Sequence, residues 1–201
     1  MTTEGLYTHY KNLSYDWRAR YFAPILKILA SLKITPNQIT YFRLIFALPL
    51  AYFFLTYNLL GIFITYSLFW IVDLFDGSLA RYLNMTTDKG RFIDTILDNF
   101  MYAFLIVGFI YLKSAIAYIL AYNILAELSV QLLSIVKKQR TTPSDFIIRA
   151  EANTPYFKTA AHAALAFYVF GINLLNPVFI ILDLLLTITA LYYFLSIQKK
   201  A

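Results

Sequence analysis

The stretch that decides the fold is DLFDGSLARYLNMTTDKGRFIDTILD, residues 73–98, which holds five of the eleven acidic residues in the chain. Strongly apolar segments flank it on both sides, and the 201-residue chain is 60% hydrophobic. A soluble domain of this length is not normally so apolar. The sequence therefore predicts an integral membrane protein that keeps carboxylates at the depth of a bilayer.

Six windows of about 20 apolar residues are long enough to cross a bilayer. They lie at 37–57, 59–80, 91–112, 114–136, 157–174 and 177–197. Six spans place both termini on one side, together with sixteen of the seventeen Lys and Arg residues, and only Lys113 lies opposite. This excess of positive charge indicates that the shared side is cytoplasmic. We predict an all-α fold in which residues 37–201 form a six-helix transmembrane domain.

A different kind of helix is predicted before the first span. In YDWRARYFAPILKILASLK, residues 15–33, apolar residues recur at helical spacing and basic residues flank them. This pattern is typical of an amphipathic helix in the cytoplasmic interface, and a seventh buried helix is the alternative. Residues 1–36 are thus expected to form a cytoplasmic N-terminus with this helix. The net charge of +6 is explained by topology and anionic headgroups rather than by nucleic acid.

Four aspartates are placed so that they can meet. Asp73 and Asp76 are three residues apart on one predicted helix, and Asp94 and Asp98 are four apart on the next, so each pair shares a helix face. Asp73 and Asp98 each lie about 12 Å along the helix axis from its cytoplasmic end. Two antiparallel neighbours joined by a short loop can therefore bring all four carboxylates to one point.

Such a cluster needs to be neutralised, because a charge in mid-span costs about 2.5–3.5 kcal/mol. Arg81 alone cannot do this; shared protons could, and two divalent cations would do so fully. Oxygen ligands without His or Cys favour Mg²⁺, Mn²⁺ or Ca²⁺ over zinc. The alternative is helix capping and ion pairing with Arg81, Lys89 and Arg91. That explanation fits Asp88, but it fits four aspartates on two facing stripes poorly.

The complete spacing is Asp73-x2-Asp76-Gly77-x2-Ala80-Arg81-x8-Gly90-x3-Asp94-x3-Asp98. It resembles the signature of the CDP-alcohol phosphatidyltransferase family, and ITPNQITYFRL, residues 34–44, resembles the segment that opens the first span in that family. The resemblance implies that a CDP-linked lipid, usually CDP-diacylglycerol, donates its phosphatidyl group to an alcohol in phospholipid biosynthesis. CMP is released. It also implies a homodimer.

The resemblance further implies roles for individual residues. The four aspartates would hold two divalent cations, Mg²⁺ or Mn²⁺, and Asp98 would also act as the general base. Gly77, Ala80 and Arg81 would form part of the nucleotide-binding surface. Missing side chains would let a nucleotide approach the backbone, but small residues equally serve close helix packing, and the sequence does not separate the two.

The acceptor alcohol is less well defined. Basic residues on the cytoplasmic side would suit a phosphorylated polyol such as glycerol-3-phosphate or inositol phosphate, although positive-inside topology explains them equally. The candidates are Arg43, Lys137, Arg140, Arg149 and Lys158. Serine as acceptor and an ether-lipid donor remain open. An ion-coupled transporter is the alternative from another class, but the chain shows no repeat of the acidic hairpin.

Two further expectations concern location and the remaining polar residues. We expect a prokaryotic cell membrane, with the active site near its cytoplasmic face. Asn123 and Glu127, four residues apart in the fourth span, are expected to pair within the bundle or to line the acceptor pocket. His162 and Asp183 are expected to be interhelical hydrogen-bond partners.

Overall fold

A computed structural model describes residues 3–140 and 158–198, and every regular element within these ranges is helical. The helices are α1 (Thr3–Ser31), α2 (Pro36–Leu55), α3 (Leu59–Tyr82), α4 (Asp88–Tyr111), α5 (Ala117–Arg140), α6 (158–169) and α7 (Leu175–Gln198). The described part of the chain contains no strand, so the predicted all-α class is confirmed.

Five described helices are long and apolar enough to cross a membrane. They are Pro36–Leu55, Leu59–Tyr82, Phe92–Tyr111, Ala117–Ser134 and Leu175–Gln198. These agree with five of the six predicted spans. The remaining predicted span, 157–174, overlaps α6, whose described part ends at residue 169. The count of six spans and the cytoplasmic orientation therefore stay predictions.

Helix α2 carries local signals that fix where it begins. Thr35 and Gln38 form a reciprocal capping box, with Pro36 in the first turn. At Arg43–Phe46 the helix tightens into a 3-10 turn. Because a 3-10 helix has three residues per turn, residues spaced by three stay on one face there.

The first four helices, α1 to α4, end in the same way. The second residue after α1, α2, α3 and α4 adopts a left-handed backbone conformation, with φ between 53° and 58°; these residues are Lys33, Tyr57, Asn84 and Lys113. In each case the following amide donates back across the last turn, as in Ile34 to the carbonyl of Leu29. This is the Schellman arrangement, which satisfies carbonyls at a helix end and lets the chain reverse sharply. The short connections between helices follow from it.

The chain divides into two compact units. The first comprises Met1–Tyr52 with Ile64–Met101. Its buried cluster joins Leu26 of α1, Ile39 of α2 and Leu79 of α3. The opposite face of α1 presents large exposed hydrophobic residues three or four positions apart: Trp17, Tyr21, Ile25 and Ile28. Helix α1 thus has one apolar face packed and another exposed.

The second unit comprises Phe53–Phe63 with Tyr102–Ala201, and in it α5 packs along α7. The Tyr102 hydroxyl donates to Oδ1 of Asn123 at 2.7 Å, and Nδ2 of Asn123 donates to Oδ1 of Asp183 at 2.7 Å. The prediction that Asp183 is an interhelical hydrogen-bond partner is confirmed. Asn123 therefore uses its amide to connect α4, α5 and α7.

Candidate metal and nucleotide site

The four predicted aspartates surround a single guanidinium group within the first unit. Oδ1 of Asp73 and Oδ1 of Asp94 each lie 2.6 Å from Nη1 of Arg43. Oδ2 of Asp76 lies 3.1 Å from the same nitrogen, and Asp98 accepts a hydrogen bond from Nη2. The carboxylates that the spacing predicts to converge are therefore close together, with a cation between them.

Arg43 is the neutralising group that the sequence did not identify. Its side chain is fully buried, and its Cζ lies 4.3 Å from the ring centroid of Phe69, within the range of a cation–π contact. A guanidinium carries five N–H donors in a rigid plane, so it can bind several carboxylates at once. One guanidinium among four carboxylates still leaves the cluster with a formal charge of −3. The site can therefore attract further cations.

The donor set fits a hard divalent cation. One carboxylate oxygen from each of Asp73, Asp76 and Asp94 lies within 4.8 Å of the other two. All the donors are oxygens, as Mg²⁺ and Mn²⁺ prefer. The side chains of Asp73, Asp94 and Asp98 retain 25%, 38% and 28% exposure, whereas that of Asp76 retains 6%. A cation could reach three of the carboxylates from outside.

A cleft of about 210 Å³ lies beside the aspartates. Its lining comes from α2, from the end of α3 and from the loop and first turns of α4: Pro36, Asn37, Thr40, Asp76, Gly77, Ala80, Arg81, Met85, Thr86, Thr87, Gly90 and Asp94. All three residues predicted to bind the nucleotide are among them, together with two of the predicted metal ligands. The cleft therefore borders both the predicted nucleotide-binding residues and two of the predicted metal ligands.

Gly77 is not required for helix packing in the described structure. A Cβ atom placed there would find within 4 Å only Nη1 and Nη2 of Arg81, at 3.6 and 3.9 Å. These are ordinary van der Waals distances to the end of a flexible side chain. Gly108 differs, because a Cβ atom there would overlap the ring of Phe54. Of the two explanations for a glycine at position 77, access of a ligand to the cleft agrees better with this geometry.

Comparison with known proteins supplies the identity of this arrangement. The family model for CDP-alcohol phosphatidyltransferases matches residues 33–191, which include most of both compact units. The chain belongs to the CDP-alcohol phosphatidyltransferase family. The resemblance inferred from the aspartate motif is thereby confirmed. With its five apolar helices, this family member is an integral membrane protein.

Two curated relatives match part of this phosphatidyltransferase family member. An uncharacterized protein of Aquifex aeolicus is 38% identical over 78 residues, which are 38% of this chain and 39% of the relative. An archaetidylinositol phosphate synthase of Pyrococcus horikoshii is 37% identical over 84 residues, or 41% of this chain and 44% of the relative. The chain thus spans less than half the length of these relatives. No solved structure matches it significantly.

Two polar residues of the phosphatidyltransferase site were missed at the sequence level. The hydroxyl of Thr40 lies 3.0 Å from Oδ2 of Asp76, and Asn37 lines the cleft. Their signal was the spacing of Asn37, Thr40 and Arg43, three residues apart in an otherwise apolar stretch. Residues three positions apart are neighbours on one face of an α-helix, so this spacing places the polar side chains together.

The residues predicted to bind the acceptor have different surroundings. Arg43 contacts the aspartates, as described above. Lys158 lies in the second unit, buried, with Nζ 3.8 Å from Oε1 of Glu127 and 6.0 Å from the ring centroid of Tyr102. The side chains of Lys137 and Arg140, and the whole of Arg149, lie outside the described part of the chain. The acceptor assignment of this family member stays a prediction.

Proposed function

We propose that this protein transfers a phosphatidyl group from a CDP-linked lipid to an alcohol and releases CMP, in phospholipid biosynthesis. CDP-diacylglycerol is the expected donor. The observation that carries the proposal is the convergence of four aspartates beside a cleft that contains Gly77, Ala80 and Arg81. Family membership supports the same reaction class.

In this proposal Asp73, Asp76, Asp94 and Asp98 hold two divalent cations, Mg²⁺ or Mn²⁺. When bound, such cations neutralise the negative charge of a diphosphate and of the departing nucleotide oxygen. Asp76 is the least exposed of the four and is fixed by donors from α2, so it serves as the rigid member of the set. The other three are accessible to the cation and to the substrate.

Asp98 is proposed to accept the proton from the hydroxyl of the acceptor. It differs from the other three aspartates because it contacts Nη2 of Arg43 rather than Nη1. Its side chain keeps 28% exposure, so an incoming hydroxyl can come within hydrogen-bond distance, as a general base requires.

The nucleotide half of the donor is assigned to the cleft. The Nη2 group of Arg81 donates to the hydroxyl of Ser78 at 3.3 Å, and its guanidinium lies over Gly77. A guanidinium in this position can pair with phosphate oxygens in a two-pronged geometry. Gly77 has no side chain and Ala80 has only a methyl group, so the nucleotide can lie close to the backbone of α3.

The lipid half requires a membrane setting. We propose six spans with both termini in the cytoplasm of a prokaryotic cell, and α1 lying in the interface. The exposed apolar stripe of α1 and its basic neighbours Arg18, Arg20 and Lys27 support this placement. The active site would then lie near the cytoplasmic face, where acyl chains stay in the bilayer and the polar substrates arrive from water. A homodimer is the expected assembly.

For the acceptor we propose a phosphorylated polyol, with inositol phosphate placed first and glycerol-3-phosphate second. The Pyrococcus relative is named as an archaetidylinositol phosphate synthase, and this name supports the order. Serine remains the main competitor. Arg43, Lys137, Arg140, Arg149 and Lys158 remain the candidate acceptor-binding residues, and Lys158 is the one among them with a described buried partner in the second unit.

The decisive experiment is CMP release by the purified protein in detergent micelles. The donors would be CDP-diacylglycerol and its ether-linked counterpart, and the acceptors inositol phosphate, glycerol-3-phosphate, inositol and serine, with Mg²⁺ or EDTA. We expect Mg²⁺-dependent release with one phosphorylated acceptor, abolished in Asp73→Asn. Asp183→Asn is the matched control, because it changes a buried aspartate of the second unit whose hydrogen bond asparagine can also accept. Release that persists in EDTA would refute the metal-dependent mechanism.

A further inference from the structure

The guanidinium of Arg43 and the candidate metal cluster use the same aspartates. Nη1 lies 2.6 Å from Asp73, 2.6 Å from Asp94 and 3.1 Å from Asp76. These are the three residues whose oxygens form the candidate cation site. The guanidinium of Arg43 therefore occupies the space in which the proposed function places a divalent cation.

A divalent cation bound by these oxygens would compete with Nη1 for the same space. Mg²⁺ binds oxygens at about 2.0–2.1 Å in an octahedron, so adjacent ligand oxygens are about 2.9 Å apart. In the structure one oxygen from each of the three carboxylates lies within 4.8 Å of the other two, and Nη1 lies 2.6–3.1 Å from each residue. A Mg²⁺ ion bound to all three would lie close to Nη1, and the two positive charges would repel each other.

The guanidinium of Arg43 has hydrogen-bond partners for Nη1 and Nη2 but none for Nε among the described residues. Its side chain is fully buried, and Nη1 and Nη2 serve all four aspartates. Its fifth donor, the N–H of Nε, has no hydrogen-bond partner among the described residues. A buried donor without a partner is unfavourable. The arginine therefore occupies the cluster without satisfying all its own donors, as expected of a group that can be displaced.

We propose that Arg43 is an internal competitor for the divalent cations. It holds the four carboxylates together in the metal-free protein, and it gives up its contacts with Asp73, Asp76 and Asp94 when a cation binds. The protein then folds without metal, and its affinity for metal is lower than four free carboxylates would give. This inference rests on the proposed metal role of the aspartates.

The test is direct binding of Mn²⁺ to the purified protein without lipid substrate, measured from the electron paramagnetic resonance of free Mn²⁺. We expect Arg43→Met to bind about tenfold more tightly than the wild type, or about 1.4 kcal/mol. In EDTA, Arg43→Met should melt at a lower temperature than the wild type. Arg43→Lys keeps the charge but replaces the fork with one ammonium group, so its affinity should lie between the two.

The outcomes separate this inference from the proposed function. Equal or weaker Mn²⁺ binding by Arg43→Met would overturn the competition while leaving the metal role intact. Wild-type affinity in Arg43→Lys with tighter binding in Arg43→Met would show an effect of net charge alone, and would also overturn it. If none of the three proteins binds Mn²⁺, the metal role itself fails, and the competition fails with it.

A measurement on the wild type covers the case in which the variants do not fold. In EDTA, ¹⁵N-arginine labelling should show one guanidinium whose Nη protons exchange slowly, because Arg43 is buried and paired. We expect this signal to shift or disappear as Mg²⁺ saturates the protein. A signal that is unchanged at Mg²⁺ concentrations shown to displace bound Mn²⁺ would refute the proposal.

Discussion

The hydroxyl of Thr40 lies 3.0 Å from Oδ2 of Asp76, across 36 positions of the sequence. The same hydroxyl is 3.1 Å from the carbonyl oxygen of Pro36, and its single hydrogen favours the charged acceptor. Asp76 also receives a hydrogen bond from Nη1 of Arg43 at 3.1 Å. Helix α2 thus supplies two donors to the most buried aspartate of the cluster. The geometry of the acidic pair on α3 depends on α2.

Replacing Thr40 with valine tests this dependence. Thr40→Val keeps the shape of the side chain but removes the donor, so Asp76 loses a charge-assisted bond worth about 1.5–3 kcal/mol. We expect CMP release to fall by about tenfold or more, with a higher Mg²⁺ concentration needed for half-maximal rate. The control is Thr189→Val, because the hydroxyl of Thr189 bonds only its own helix, at the carbonyl of Leu185. A normal Mg²⁺ dependence in Thr40→Val would refute the positioning role.

The proposed base can be tested by removing its ability to take a proton. Asp98→Asn keeps an oxygen that can accept from Nη2 of Arg43, so the fold should survive. We expect transfer to fall by about 10²–10⁴-fold, as general-base catalysis typically contributes. Binding of CDP should stay within a small factor of the wild type, as measured by calorimetry. Near-normal transfer would exclude Asp98 from the base role.

The aspartate cluster could be predicted from the sequence because it depends on residue spacings within two consecutive helices. Spacings of three and four residues place side chains on one helix face, and a short loop forces α3 and α4 to be antiparallel neighbours. The role of Arg43 could not be predicted in this way. It pairs with Asp94 and Asp98 over 51 and 55 positions, and its place depends on how α2 packs against α3. The position of Arg43 near the start of a span predicts a role in acceptor binding but not its contacts with the aspartates.

The same limit applies to the polar residues of the second unit. Asn123 and Glu127 are four residues apart, and the sequence predicts that they pair within the bundle or line the acceptor pocket. In the structure Asn123 donates to Asp183, and Glu127 lies 3.8 Å from Lys158. Helical spacing shows which residues share a face, but the neighbouring helices determine which partner each side chain meets.

Gly77 provides a test of the nucleotide cleft. Gly77→Leu adds a branched side chain to a cleft of about 210 Å³, beside Arg81. We expect the affinity for CDP-diacylglycerol to fall by at least about tenfold, equivalent to about 1.4 kcal/mol, in a direct binding assay. Gly77→Ala is the matched control, because its Cβ atom meets only the end of the Arg81 side chain. Unchanged donor affinity in Gly77→Leu would mean that the cleft does not hold the nucleotide.

The hydrogen bonds of Asn123 should stabilise the second unit. Asn123→Leu leaves the hydroxyl of Tyr102 and the carboxylate of Asp183 without this partner in a buried setting. We expect the free energy of unfolding in detergent to fall by about 1–3 kcal/mol. Ser129→Ala serves as control, since the exposed hydroxyl of Ser129 bonds a carbonyl of its own helix. Equal stability of both variants would show that the network contributes little, as happens for many polar contacts within membranes.

Gly77 of α3 and Gly108 of α4 are expected to respond in opposite ways to replacement by alanine. Gly108→Ala would place a Cβ atom less than 3.0 Å from three ring atoms of Phe54, which is itself buried. Relief of that overlap requires the ring or the helix to move, and such overpacking typically costs about 1–3 kcal/mol. Gly77→Ala meets no such obstacle and gains the better helix propensity of alanine, worth about 0.5–1 kcal/mol.

Thermal unfolding of the two variants in the same detergent measures this contrast. We expect Gly108→Ala to melt below the wild type and Gly77→Ala to melt at or above it. Gly108→Ala should also keep its affinity for CDP, since this glycine does not line the cleft. A loss of stability in Gly77→Ala as large as that in Gly108→Ala would assign Gly77 to helix packing. It would also remove the structural argument that this glycine is there for the ligand.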